Sequence, residues 1–343
     1  MRIALIRRRY SATGGAENYL ERLGEELQRR GHVITLVCEE WKESGGVLGV
    51  VRVVQSSDPA GFAEGVQAMN LKKEFDLVFS LERVPGCDLY RAGDGVHAEW
   101  LEQRARYAPV LGPLRTWLNP KNGVMNRLER ELYRAENTGR IIANSRMIKD
   151  SIVRRFGYPA ERIDVVYNGV PFKKFSSGDR EAGRKALGLA KDAYVILLVG
   201  AGEERKGVRY ARAAVERVPG AQLVVIDKPV TSPLPDVYAA ADVFLLPTLY
   251  DPFANVTLEA MAAGLPVITT SHNGASEILT HEKDGYILER ADDVESMVKY
   301  LIQLQRSEER ARFKKSTQYI AMQYDINDNV DQTALIFEKI KRA

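Results

Sequence analysis

Two loops of this sequence combine residue types that handle phosphates and sugars. The first is Gly200-Ala201-Gly202-Glu203-Glu204-Arg205-Lys206-Gly207, set between the apolar run Val195–Val199 and a helix-like stretch from Val208. Glycines let a backbone approach a phosphate, a helix start favours an anion, and the adjacent cations Arg205 and Lys206 can neutralise a departing diphosphate. The same residues also make a solvated turn with ordinary surface charges. The second loop is Asp251-Pro252-Phe253-Ala254-Asn255-Val256-Thr257-Leu258-Glu259, which follows Val243–Leu246. One carboxylate lies in the loop and the other on the helix it opens, so Asp251 and Glu259 can accept hydrogen bonds from two sets of sugar hydroxyls. Between them the amides of Asn255, Val256 and Thr257, with Ala254 just before, face a phosphate from the helix start. A turn aspartate and a first-turn glutamate favoured by the helix dipole account for the same pattern, and local chemistry leaves both readings open.

Two further groups qualify. His97, one of four histidines, can donate to a donor sugar or to an acceptor hydroxyl, or it can be a structural histidine satisfied by backbone. Arg7, Arg8 and Arg9 stand at the mouth of the first strand-to-helix loop, where they can meet acceptor phosphates or form a solvated basic turn.

The elements that must carry these loops are short Ile- and Val-rich runs alternating with helical spacing: Ile3–Ile6, Val33–Val37, Val50–Val54, Leu77–Phe79, Ile141–Ala143, Val195–Val199, Leu223–Ile226, Val243–Leu246 and Val267–Thr269. Strand followed by helix, repeated, predicts α/β architecture with parallel sheets covered on both faces. The opening unit, Ile3–Ile6, Gly14-Gly15 and then Ala16, Leu20, Leu23 and Leu27, has a counterpart at Val195–Val199, Gly200–Gly207 and the helix from Val208, so two such sheets are expected. A chain of 343 residues also exceeds one comfortable core, since domains hold about 100–200 residues. We therefore divide it into an acceptor-binding domain 1–168, a nucleotide-sugar-binding domain 169–322, and a last helix 323–343 available to return to the first domain. The seam is Asn168-Gly169-Val170-Pro171.

Composition excludes several classes. With 45% hydrophobic and 28% charged residues the chain is globular rather than disordered, and a net charge of +3 is too small to imply nucleic acid. No apolar run approaches the roughly 18 residues that span a bilayer, the first residues carry no cleavage-site pattern, and Cys38 and Cys87 follow no metal-ligand spacing. A cytoplasmic protein with reduced thiols is the expectation. One segment, Trp100 to Arg127, interrupts the alternation with Pro109, Gly112, Pro113, Pro120 and Gly123. It carries Trp100, Tyr107, Trp117 and five basic residues, with no acid between Glu102 and Glu129. Such a stretch suits an anionic membrane surface or is an irregular insertion with buried tryptophans.

The run from Pro235 to Asp242, the stretch Leu258-Glu259-Ala260-Met261-Ala262-Ala263-Gly264-Leu265-Pro266, and Asn273-Gly274-Ala275-Ser276-Glu277 together resemble the donor domain of family 4 retaining glycosyltransferases. The resemblance implies the GT-B fold, two Rossmann-like domains facing a cleft. It aligns the E-x7-E element with Asp251 and Glu259, the first acid one methylene shorter, and gives Glu259 a ribose role and Asp251 a donor-sugar role. Arg205 and Lys206 match the diphosphate-binding pair, and Gly14-Gly15 matches the glycine loop beside the donor. Asn144-Ser145 and Tyr167 to Pro171 also fit, so most of the chain is covered.

A narrower likeness, to the lipopolysaccharide-core glucosyltransferase I group, rests on Arg91-Ala92-Gly93-Asp94-Gly95-Val96-His97-Ala98-Glu99-Trp100. It implies an active-site acid at Asp94 and a membrane-associating region at Trp100–Arg127, hence peripheral placement on the inner face of the cytoplasmic membrane. The catalytic set implied is Asp94, His97, Lys206 and Asp251. The expected reaction is metal-independent, configuration-retaining transfer of a hexose, glucose from UDP-glucose, to a saccharide or glycolipid acceptor such as lipopolysaccharide core. Other family 4 donors such as GDP-mannose, or binding without turnover, are the alternatives. One departure stands out: Asp227–Pro235 leaves room only for a loop where the family has a helix and a further strand, which shortens the second domain. A dinucleotide oxidoreductase is disfavoured, because Gly14-Gly15-Ala16 lacks the G-x-G-x-x-G spacing.

Overall fold

The structure, a computed structural model, describes residues 1–9, 15–40, 50–108 and 119–342. It divides into two units, Met1–Tyr167 with Asn327–Ala343, and Asn168–Ile326.

The first unit is built on β1 (Arg2–Ile6), β2 (Val33–Cys38), β3 (Val50–Val53), β4 (Leu77–Ser80), β5 (Leu89–Arg91), β6 (Arg140–Ala143) and β7 (Ile163–Val165). Their order is β3-β2-β1-β4-β5-β6-β7, and every neighbouring pair is parallel. The central strands are continuous apolar runs because both faces are covered; Ile3, Ala4, Leu5 and Ile6 are fully buried. From β1 the chain winds outward to β3 and then returns to β4, so the strand order reverses between β1 and β4. Their carboxyl ends open the crevice where such sheets take ligands.

The second unit repeats this device with β8 (Tyr194–Val199), β9 (Ala221–Ile226), β10 (Val243–Leu246), β11 (Val267–Thr270) and β12 (Tyr286–Leu288), in the order β12-β11-β10-β8-β9, again all parallel. The reversal falls between β8 and β10. It brings the two loops of interest, after Val199 and after Leu246, to one end of adjacent strands.

β5, β7 and β12 have three residues each; β5 ends in Arg91 and β7 holds Asp164, so neither is a continuous apolar run. No helix or strand separates β9 from the helix Leu234–Ala240, as the shortened second domain requires. The segment Trp100–Arg127 is more regular than its helix breakers suggest. Its described parts belong to helices His97–Arg106 and Pro120–Leu132. Pro120 occupies the first turn, where a missing N–H costs nothing, and the Asn119 side chain accepts from the Lys121 amide at 3.0 Å. Arg115 and Trp117, central to the membrane expectation, lie outside the described residues, as does Gly14. Among the described residues no helix is long and apolar enough to cross a membrane.

The last helix, Ile326–Arg342, packs on the first unit. Phe337 is fully buried with its ring 5.0 Å from that of Phe79, edge to face. The Tyr19 hydroxyl donates to Thr333 at 3.2 Å, and Arg30 pairs with Asp331 at 2.6 Å. Most of this attachment is aromatic burial, since the Arg30 pair is partly solvated. Phe337→Ala should therefore lower stability by about 3–5 kcal/mol in urea unfolding, against less than about 1 kcal/mol for Asp331→Ala.

Candidate functional site

At the end of β8 and β10 the two loops lock onto each other. Gly207 has a φ of 70°, and a Cβ there would stand 2.0 Å from the Pro247 carbonyl oxygen, so only glycine allows this approach. The Arg205 carbonyl accepts from the Thr248 hydroxyl at 2.8 Å and from the Leu249 amide at 2.9 Å. Thr248 is in turn held by the Thr270 hydroxyl, which donates to its carbonyl at 2.7 Å.

This fixes the backbone that carries the charges. Lys206 Nζ lies 2.9 Å and Arg205 Nη1 2.6 Å from the same oxygen, Oδ2 of Asp251. Lys206 and Asp251 are both 5% exposed, whereas a third of the Arg205 side chain reaches solvent. The Lys206 stem crosses the face of Gly200, where a Cβ would meet its Cε at 2.8 Å. Burial raises the Asp251 carboxyl, but Lys206 and Arg205 more than offset this and hold it below the usual carboxylate range.

Asp251 is fixed from the other side by Asn273. The Asp251 amide donates to the His272 carbonyl and its carbonyl accepts from the Gly274 amide, each at 2.9 Å. The fully buried Asn273 amide oxygen accepts from the Ala254 and Ala275 amides, both at 3.1 Å. Its nitrogen donates to the hydroxyls of Thr257 and Thr269, both at 3.0 Å. The residue thereby holds the entrance to the helix Asn255–Ala262.

The four amides expected to face a phosphate are consequently not equivalent. Ala254 donates to Asn273 and Thr257 to the Ala254 carbonyl, and the helix has no side-chain cap. The amides of Asn255 and Val256 make no hydrogen bond among the described residues, so these two are the N–H groups that this helix start leaves available to an anion. One turn on, the hydroxyl of fully buried Tyr238 donates to Glu259 Oε2 at 2.7 Å. Burial shifts the Glu259 carboxyl upward, against the pull of that hydrogen bond and of Lys174 and Lys206. Two cations, two amides and one oriented carboxylate therefore line the carboxyl edge of the second sheet.

In the first unit Asp94 is exposed, with Oδ2 3.7 Å from Nη1 of the largely buried Arg83 side chain, which is 10% exposed. The Arg83 Nε meets Glu129 at 3.1 Å, and its Nη2 donates to the Gly95 carbonyl at 3.0 Å. Glu129 is fully buried and accepts the amides of His97 at 2.6 Å and Ala98 at 3.2 Å, capping the helix that begins there. The His97 ring contacts Asn122 Oδ1 at 3.2 Å, and burial lowers its basicity. Arg7, Arg8 and Arg9 meet carboxylates: Arg7 pairs with Glu82 at 3.1 Å, while Arg8 and Arg9 share Glu39 at 3.3 and 3.0 Å. Gly15 opens the helix Gly15–Arg29.

The structure thus brings Arg205, Lys206, Asp251, Asn255, Val256 and Glu259 onto one edge of the second unit, and sets Asp94 and His97 in the first. Pattern alone assigns no role to Asn273, Tyr238, Thr248 or Glu129, although Tyr238 and Asn273 lie in the stretches that carry the family resemblance. Each acts through a hydrogen bond across elements distant in sequence, for which no local spacing exists. Asp251→Asn leaves two cations without their counter-charge and should cost roughly 2–3 kcal/mol at pH 7, given the exposure of Arg205. Because folding depresses the Asp251 carboxyl, this contribution is full above the unfolded-chain value and fades as pH falls through the folded one. Urea unfolding should show the gap between wild type and variant closing below about pH 4.

Comparison with known proteins identifies the family. Residues 13–174 match the family model "Glycosyltransferase Family 4", and residues 184–307 match "Glycosyl transferases group 1". An uncharacterized glycosyltransferase of Methanocaldococcus jannaschii is 26% identical over 83% of this chain and 84% of its own length. Two solved structures show the same fold. WaaG, a glycosyltransferase involved in lipopolysaccharide biosynthesis, aligns with a TM-score of 0.83 at 21% identity over 97% of this chain and 99% of its own. HepE of Anabaena, in complex with UDP-glucose, aligns with a TM-score of 0.73 at 18% identity over 99% and 100%. The architecture is GT-B, and the chain belongs to the group 1 and family 4 glycosyltransferases.

Proposed function

We propose that the protein transfers a hexose, glucose from UDP-glucose, to a saccharide acceptor such as lipopolysaccharide core, with retention of anomeric configuration. The observation that carries this reading is the convergence of Lys206 and Arg205 on one buried carboxylate oxygen, in the same loop region as the amides of Asn255 and Val256, which make no hydrogen bond among the described residues. A diphosphate bound there meets four donors at one sheet edge. As the bond from the anomeric carbon to the β-phosphate oxygen breaks, negative charge grows on that oxygen. Lys206 and Arg205 stabilise it without a metal ion. Glu259, with Oε2 engaged by Tyr238, keeps Oε1 for the ribose hydroxyls.

Retention follows from attack on the same face of the sugar, with a leaving phosphate oxygen taking the acceptor proton. Asp94 orients the acceptor and His97 contributes a hydrogen bond. Asp251, an aspartate where the family has glutamate, holds the cations in place and meets the donor sugar through the oxygen they leave open. The acceptor reading draws support from the likeness to WaaG, and the uridine reading from the likeness to HepE. The basic helix segments on either side of residues 109–118 support attachment to an anionic membrane surface, where Lys121 is exposed.

A second reading, nucleotide or glycan binding without turnover, has one observation in its favour: the loop 227–233 replaces elements that shape the base pocket in the family. Nucleotide release measured across UDP-, GDP- and ADP-sugars, with core oligosaccharide present, separates the two. Turnover should be greatest with UDP-glucose, and Lys206→Ala should lower kcat/KM at least 100-fold. A loss of only a few-fold removes Lys206 from the diphosphate site, and binding without release for every donor favours the second reading.

A further inference from the structure

At the amino edge of the second sheet lies a cleft of about 270 Å³ that the proposed reaction does not use. Asp242 stands there just before β10, and Leu265-Pro266 lead into β11. The four residues of β10, about 13 Å of strand, separate this end from the loop of Asp251. The cleft floor is a buried ion pair. One oxygen of Asp242 accepts from the Val195 amide at 2.8 Å and from Arg184 Nη2 at 3.0 Å, while the other accepts from Arg180 Nη2 at 2.7 Å. Every guanidinium nitrogen of the buried Arg184 is engaged, since it also donates to the carbonyls of Ala190, Lys191, Ala193 and Ala240. This pair is internally satisfied and leaves no donor for a ligand.

Three further cations line the cleft: Arg180, Arg310 and Lys314. Arg180 Nη1 donates to the carbonyls of Ala239 at 3.0 Å and Ala241 at 2.7 Å, closing the helix Leu234–Ala240. Arg310 Nη1 donates to those of Leu304 and Gln305, both at 2.7 Å, closing the helix Val294–Gln303. Capping these helix ends accounts for one nitrogen of each arginine and fixes both guanidinium groups. Arg180 Nε and Arg310 Nε and Nη2 donate to no group among the described residues, and Asp242 lies 3.8 Å from Arg310 Nε, beyond hydrogen-bond reach. Glu309 beside Arg310 is drawn off by Arg306 and Arg312. Lys314 caps nothing. Its ammonium makes no hydrogen bond or ion pair among the described residues, and its stem lies on Gly264, where a Cβ would stand 2.8 Å from its Cγ. Asp242 is the one acid among the described lining residues and Arg184 already balances it, so Arg180, Arg310 and Lys314 leave the cleft positive.

We infer that this cleft is a second anion site, which binds a small phosphate monoester independently of the donor edge. Two guanidinium groups fixed by backbone carbonyls present N–H forks to phosphate oxygens, and Lys314 adds a compact charge. Phe175, Leu265 and Pro266 form an apolar wall beside them, which takes the organic part of the ester. The site stands on the second unit alone and does not depend on the transferase reading.

The test is calorimetric titration of methyl phosphate into the full chain, with and without saturating UDP, for wild type and Lys314→Ala. Lys314 is exposed and carries no contact that folding needs, so the variant keeps the fold. The wild type should bind one methyl phosphate with an affinity that UDP leaves unaltered. Lys314→Ala should weaken it at least five-fold with UDP affinity and melting temperature unchanged, and Lys314→Arg should recover part of the loss. No methyl phosphate bound in the presence of UDP, or equal affinity in Lys314→Ala, would overturn the site. Binding to phosphatidic acid vesicles without binding of methyl phosphate would overturn it too, by making the ligand a lipid surface. Absence of UDP binding in the wild type would instead strike the donor reading, and the Lys314 comparison would still decide this one.

Discussion

A carboxylate sealed from water must find positive charge, and in the second unit Asp251 finds two cations on one oxygen. Taking that group out of solvent costs several kcal/mol, and only good geometry offsets it. The requirement dictates much of what surrounds it. β8 and β10 must be adjacent, their loops must touch, and a glycine must stand at 207 where any side chain would strike Pro247. Thr248, itself held by Thr270, pins the cation loop through the Arg205 carbonyl, while Asn273, anchored to Thr269 and Ala275, pins the loop of Asp251 through Ala254 and Thr257. These hydrogen bonds set the positions of the charges within the protein itself, which is how charge is positioned for a transition state at little reorganisation cost.

The two units use one topology for opposite electrostatic ends. Each sheet reverses its strand order next to its first strand and places charged loops at the carboxyl edge. In the second unit the cations exceed the carboxylate they share, and two helix amides add to the positive field. In the first, the arginines are matched by acids, and Glu129 occupies the helix start that would otherwise attract an anion. Under the proposed reaction this asymmetry has a use, since a sugar-nucleotide donor carries a diphosphate and a sugar acceptor presents hydroxyls.

Much of this was legible from residue order, for physical reasons. The runs at Ile3–Ile6 and Val195–Val199 are continuous because strands buried on both faces must be, and that alone predicts parallel sheets. Arg205, Lys206, Asp251 and Glu259 sit at fixed offsets from such strands, so their nearness follows once β8 and β10 are neighbours. The three-residue strands β5, β7 and β12 were not legible; β5 ends in Arg91 and β7 holds Asp164, so neither is a continuous apolar run. Nor were Tyr238 and Asn273, whose roles come from hydrogen bonds across elements. Pro120 misled for a local reason: the same residue that breaks a helix interior is at home in a first turn.

Binding of a β-phosphate by Lys206 and Arg205 is open to a double-mutant cycle in which the ligand and Lys206 are each altered. UDP and UMP would be titrated calorimetrically into wild type and Lys206→Ala. Removing the β-phosphate should cost the wild type at least ten-fold in affinity, about 1.4 kcal/mol or more, and the variant far less. Equal affinity of the wild type for UDP and UMP, or an undiminished β-phosphate effect in the variant, would contradict it.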